Sequence, residues 1–154
     1  GLALAVLGAA MAVVLGRIGS SIGVGIAGEA AAGVLAEDPE KFGRLLLLQA
    51  LPGTQGIYGF LSAFWVILKI NLLGGTVPAL TAGQGIQILF SCLPVAFVCL
   101  VSGIHQGRVS AASIGIVAKR PEESGKALIL PAMVETYAVL GLLATILLLQ
   151  GVQI

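Results

Sequence analysis

Four long apolar runs separated by short polar breaks lay out the chain: about Leu2 to Ala36, Arg44 to Ile70, Gly83 to Lys119 and Lys126 to Gln150. Each is longer than the ~20 residues that an α-helix needs to cross a bilayer, so the pattern predicts four transmembrane helices. Two of the breaks, Glu37 to Gly43 and Lys119 to Gly125, are tight charged turns, each with a proline and a closing glycine where one helix stops and the next begins. The chain thus reads as two helical hairpins, residues 1–80 and 81–154, with the stretch Asn71 to Ala82 connecting their helices. Lys41, Arg44, Lys119, Arg120 and Lys126 gather at the charged turns, whereas only Lys69 flanks the connection. By the positive-inside rule the turns face the cytoplasm and both termini lie on the other side.

The hairpins are copies of each other. A gapless shift of 82 residues sets Pro39 on Pro121, Glu40 on Glu122, Gly43 on Gly125, Gly25 on Gly107, Gly33 on Gly115, Thr54 on Thr136 and Gly59 on Gly141. A duplicated two-helix unit accounts for this. Small residues recur every fourth position in the first and third runs, at Gly19, Gly23, Ala27 and Ala31 and at Gly103, Gly107, Ala111 and Gly115. Such stripes let helix backbones approach closely, which predicts an inner layer of small-residue helices. The second and fourth runs carry Leu45 to Leu48, Phe60, Phe64, Trp65 and Ile146 to Leu149, and are expected outside.

Composition agrees with a membrane protein: 58% of residues are hydrophobic, 10% are charged, and the mean hydropathy is +1.08. The net charge of +1 gives no reason to expect nucleic acid as a partner. Cys92 and Cys99 stand seven residues apart in an apolar run, ~10 Å along a helix, so they are expected as buried thiols. Gly1 leads straight into the first run without a basic n-region, and reads as a trimmed or incompletely covered terminus in preference to a signal peptide.

One charge breaks the fourth run. Glu135 is the only charged residue between Ala127 and Gln150, and a carboxylate at that depth costs several kcal/mol unless it is protonated, paired or bound to a cation. The shift places Gly53 opposite it, so only the second copy has an acid. Gln55 lies 12 residues after Gly43, Glu135 lies 10 after Gly125, and Gln106 lies 13 before Lys119. At 1.5 Å per residue all three fall ~15 to 20 Å from the charged turns, on one level. Leu51, Thr54, Gln55 and Tyr58 share a helix face at i, i+3, i+4, i+7 spacing, and Pro52 and Gly53 weaken the backbone ladder there. Each polar group alone would serve as an interhelical hydrogen bond, but their common depth with Glu135 favours a shared site. Hydroxyl, amide and carboxylate oxygens suit a hard cation. One carboxylate balances one positive charge, so the expected cargo is Na⁺ or H⁺.

These residues carry a resemblance. Leu51-Pro-Gly-Thr-Gln-Gly-Ile-Tyr-Gly59, the Gly-x-x-Gln-Gly pattern at Gly103 to Gly107, and Val134-Glu-Thr-Tyr137, set in duplicated hairpins with Pro-Glu turns, closely resemble the membrane rotor proteolipid, subunit K, of V/A-type ATPases. The resemblance covers nearly the whole chain. It implies an all-α integral membrane fold of four transmembrane helices assembled into a ring of identical subunits, turned by ATP hydrolysis in a separate soluble motor through a central stalk. It also implies a stator subunit with a membrane arginine that exchanges ions with the ring. The sodium-transporting branch implies Na⁺ ligation by the side chains of Thr54, Gln55, Gln106 and Glu135 and by the Leu51 carbonyl, with Tyr58 holding the carboxylate. A proton-translocating ring is the alternative, and a small secondary transporter is the more distant one. There is no G-x-x-x-x-G-K-[ST] motif, so ATP is expected to bind elsewhere and the subunit to be non-catalytic. His105 departs from the family's small residues beside Gln106 and is read as a polar or ring-lumen position. Arg17, Arg108 and Glu29 are given no part in transport.

Overall fold

The computed structural model describes all 154 residues and is helical throughout its membrane-length stretches. Helix α1 runs Leu2–Glu37, α2 Phe42–Ala50, α3 Thr54–Lys69, α4 Ala82–Lys119 and α5 Ser124–Gly151. Short 3₁₀ turns lie at Pro39–Lys41, Leu51–Gly53 and Pro121–Glu123. Helices α2 and α3 with the turn between them form one span, so four stretches are long and apolar enough to cross a membrane. The repeat predicted by the 82-residue shift is visible in local geometry: Thr54 Oγ1 donates to the Leu51 carbonyl at 2.9 Å, and its counterpart Thr136 Oγ1 donates to the Met133 carbonyl at 2.7 Å.

Both charged turns lie at one end. Lys41 pairs with Asp38 at 3.0 Å and its ammonium also donates to the Ala118 carbonyl at 2.9 Å, which ties the first turn to the second. That hydrogen bond from Lys41 holds the Asp38 carboxyl below its ordinary value of 3.8. The termini and the connection meet at the other end, where Gln84 Nε2 donates to the Gln153 carbonyl at 2.8 Å. Thr81 and Gln84 cap α4 reciprocally: the Gln84 N–H donates to Thr81 Oγ1, and the Thr81 N–H to Gln84 Oε1. Asn71 turns the chain out of α3 with φ +50°, a left-handed conformation that asparagine tolerates better than most residues.

The small-residue helices do form the closest pair, since α1 packs along α4 more extensively than any other two elements pack. A β-carbon at Gly107 would strike the Gly23 backbone, and one at Gly103 would lie 2.7 Å from the Gly19 carbonyl carbon. The α4 stripe is used only in part, because Gly115, like its repeat counterpart Gly33 outside the α1 stripe, has nothing within 4 Å. The bulky residues divide. Phe60, Phe64, Trp65, Leu46, Leu47, Leu147 and Leu148 face outward as expected, whereas Leu45, Leu48 and Leu149 are buried. Leu45 and Leu48 fill the space left by Ala27, Ala31 and Ala127 near the charged end, where small side chains on α1 and α5 leave volume to occupy.

Proline inside α4 requires repair. Pro94 disturbs the backbone ladder, and the N–H of Val95 donates to Thr145 Oγ1 of α5 at 3.2 Å. Thr145 is fully buried, so a side chain from a neighbouring helix satisfies a donor that water cannot reach. Cys92 and Cys99 are buried free thiols.

Candidate functional site

Pro52 and Gly53 decide the local shape of the site. Proline lacks an N–H and crowds the preceding turn, so the second span tightens into 3₁₀ geometry at Leu51–Gly53 before resuming as α3. The break leaves the Gly56 N–H to donate to Ser20 Oγ of α1 at 2.7 Å. Just beyond the break, Thr54, Gln55 and Tyr58 project from the start of α3.

The six residues singled out in the sequence come together here. Gln55 and Gln106 are both fully buried, and Gln55 Nε2 donates to Gln106 Oε1 at 2.5 Å. Gln106 Nε2 in turn donates to the Pro131 carbonyl at 3.0 Å and to Glu135 Oε2 at 3.3 Å. Tyr58 donates its phenol proton to Glu135 Oε1 at 2.5 Å. Thr54 Oγ1 lies 3.4 Å from Gln55 Oε1 and donates to the Leu51 carbonyl. One hydrogen-bonded network therefore runs from Gln55 through Gln106 to Glu135 and Tyr58, joining α3, α4 and α5, with Thr54 and the Leu51 carbonyl beside it. Both carboxylate oxygens have a donor, which suits the charged form of an acid removed from water.

Two participants were not singled out in the sequence. The Pro131 carbonyl accepts from Gln106, and Ser20 accepts from Gly56. Residue spacing held a hint of the second alone, since a proline break in one span calls for a polar partner on a neighbouring helix. His105 is exposed in a groove with Phe97, Val101 and Tyr137, away from the Gln106 network. Arg17, Glu29 and Arg108 are exposed and take no part in the chain's two ion pairs.

As chemistry, the network concentrates a carboxylate, two amide oxygens, a hydroxyl and a backbone carbonyl at one level of the helices. Such an oxygen set matches hard cations and gives transition metals no thiolate or imidazole. Fold and site together define an α-helical membrane proteolipid built by duplication, with a single carboxylate held in a cage of oxygens. A family model for the C subunit of ATP synthase matches residues 7–66 and again residues 89–148, two matches offset by the same 82 residues. The chain belongs to this ATP synthase C-subunit family. It is 49% identical over 148 residues to "V-type sodium ATPase subunit K" of Enterococcus hirae, covering 96% of this chain and 91% of that protein. It is 40% identical over 151 residues to "A-type ATP synthase subunit K" of Methanocaldococcus jannaschii, covering 98% of this chain and 64% of that one.

Proposed function

We propose that this protein is a rotor-ring subunit of a V/A-type ATPase and that each copy carries one Na⁺ at Glu135. The observation that supports the ion most is the number of buried oxygens around a single carboxylate. Proton carriage needs only an acid and one acceptor, whereas here Thr54, Gln55, Gln106 and the Leu51 carbonyl stand at the same level. Similarity to a protein called a sodium ATPase subunit points the same way.

In this reading the Leu51 carbonyl, Thr54 Oγ1, Gln55 Oε1, Gln106 Oε1 and Glu135 ligate the ion, and Tyr58 fixes the carboxylate. The two glutamines now hydrogen-bond each other, so loading turns their oxygens toward the cation and leaves Gln106 Nε2 on the Pro131 carbonyl. Na⁺ neutralises Glu135, and the loaded site can pass lipid without the cost of a bare charge. At the stator, a membrane arginine offers the carboxylate a competing positive charge, and the ion leaves. Rotation of the ring by an ATP-driven central stalk then moves ions in one direction. The charged turns face the cytoplasm and meet the stalk, while the termini lie on the far side. Each hairpin, residues 1–80 and 81–154, forms one structural unit, and only the second supplies an acid.

The test is Glu135→Gln in the assembled ATPase. Glutamine keeps the size of the side chain and an acceptor for Tyr58, so the ring should still assemble. Na⁺ uptake into inverted membrane vesicles on addition of ATP should fall to background. Undiminished uptake would refute the assignment of Glu135.

A further inference from the structure

Helix α3 begins at Thr54 without a capping side chain, because its N-cap residue is Gly53. The Gly56 N–H, third in the helix, is among the first four donors, which have no acceptor within it. A serine at the N-cap would ordinarily accept from that donor. Here Ser20 does so from α1: it is buried, and its Oγ accepts from the Gly56 N–H at 2.7 Å. One turn earlier on α1, Gly16 meets the other end of the same peptide, since a β-carbon there would lie 2.9 Å from the Gln55 carbonyl oxygen. The Gln55–Gly56 peptide unit is thus held at its N–H by Ser20 and at its carbonyl by Gly16. The fit is close, because a β-carbon on Gly56 would lie 3.3 Å from Ser20 Oγ. The neighbouring Ser21 has no such part: it is exposed, and its Oγ donates to the Ile18 carbonyl of its own helix.

The second hairpin is an internal control. Adding 82 turns Gly16, Ser20, Pro52 and Gly56 into Val98, Ser102, Val134 and Ala138. With no proline at the position of Pro52, α5 runs unbroken from Ser124 to Gly151, and the Ala138 N–H has an acceptor in its own helix. Ser102 Oγ is accordingly buried with no hydrogen-bond partner. Both hairpins carry the serine, but it meets a free donor only where the break at Pro52 has made one, and that span supplies Thr54 and Gln55. Resting on the Na⁺ reading above, we infer that Ser20 is a positioning residue for the ion site. Through the Gln55–Gly56 peptide it fixes the start of α3, and with it the Leu51 carbonyl, Thr54 Oγ1 and Gln55 Oε1. Helix α1 gives the ion no ligand and sets the place of three. Without the Ser20 hydroxyl a backbone donor is left unpaired in the membrane interior, and the first turn of α3 relieves this only by moving. Every ligand remains present, so the loss falls on ion affinity and not on the turnover of a loaded ring.

The experiment follows ATP hydrolysis by the whole ATPase in its native membrane across a Na⁺ titration. Ser20→Ala should raise the Na⁺ concentration for half-maximal activity by about 2- to 30-fold, the range that loss of a helix cap spans, and leave the rate at saturating Na⁺ unchanged. Ser21→Ala and Ser102→Ala remove hydroxyls that hold no donor at the site, and should leave both quantities unchanged. Gly16→Ala presses on the other end of the peptide and should also raise the half-maximal concentration. It carries the test if native mass spectrometry shows that Ser20→Ala prevents ring assembly, and an unchanged value in it then overturns the inference. With rings intact, an unchanged half-maximal concentration in Ser20→Ala, or a lower saturated rate alone, would overturn it. An equal shift in Ser21→Ala would do the same. Indifference of the unmodified enzyme to Na⁺ would instead overturn the sodium reading.

Discussion

Glu135 is held by donors on two different helices, Tyr58 on α3 and Gln106 on α4, while its own backbone belongs to α5. A hydrogen bond to a charged acceptor contributes about 1.5 to 3 kcal/mol, enough to set the carboxylate's position whether or not a cation is present. Gln106 does more than touch the acid, because its amide also receives Gln55 and reaches the Pro131 carbonyl. Gln106→Leu removes an ion ligand and leaves a buried Gln55 donor unpaired, at a cost of about 1 to 3 kcal/mol. The Na⁺ concentration for half-maximal ATPase activity should therefore rise by about 5- to 150-fold, and an unchanged value would exclude Gln106 as a ligand. Counting residues from the charged turns was sufficient to place Gln55, Gln106 and Glu135 on one level. Counting could not show that the glutamines face each other or that Gln106 reaches Pro131, because those contacts depend on the rotation of three helices about their own axes.

At the scale of the helices, the glycines fall into two groups that the sequence does not separate. Gly23, Gly103 and Gly107 mark where α1 and α4 approach too closely for a side chain, whereas Gly115, in the same four-residue spacing on α4, and its repeat counterpart Gly33 touch nothing in the chain. Gly107→Ala should push the helix pair apart and lower the thermal midpoint of the detergent-solubilised protein. Gly33→Ala should leave the midpoint unchanged or raise it, since alanine is better than glycine in a helix by about 1 kcal/mol. Equal effects of the two would contradict this packing. The four spans and both turns were legible from apolar runs and Pro-Gly punctuation, with boundaries close to those observed. Less legible was the inward turn of Leu45 and Leu48, since a run of four leucines carries no period that says which of them is covered. The Ser20 to Gly56 bond was hidden for a related reason: it joins residues 36 apart in sequence across two helices, at a backbone break whose form only the packed structure shows.

Taken as a whole, the molecule is a duplicated hairpin in which one copy has kept an acid and the other presents glycine at that position. The result is one neutralisable charge in four membrane spans, set among oxygens that are individually costly to bury and collectively suited to a small cation. A proton ring would share the fold, the repeat and the carboxylate, so the identity of the ion is the claim most open to direct test. The measurement is labelling of Glu135 by a hydrophobic carbodiimide, which attacks a protonated carboxyl in an apolar setting, across a Na⁺ titration at fixed pH. Na⁺ should protect Glu135 in a saturable manner while equal concentrations of K⁺ do not, and Thr54→Val should move protection to higher Na⁺. Labelling that follows pH and is indifferent to Na⁺ would contradict the sodium assignment.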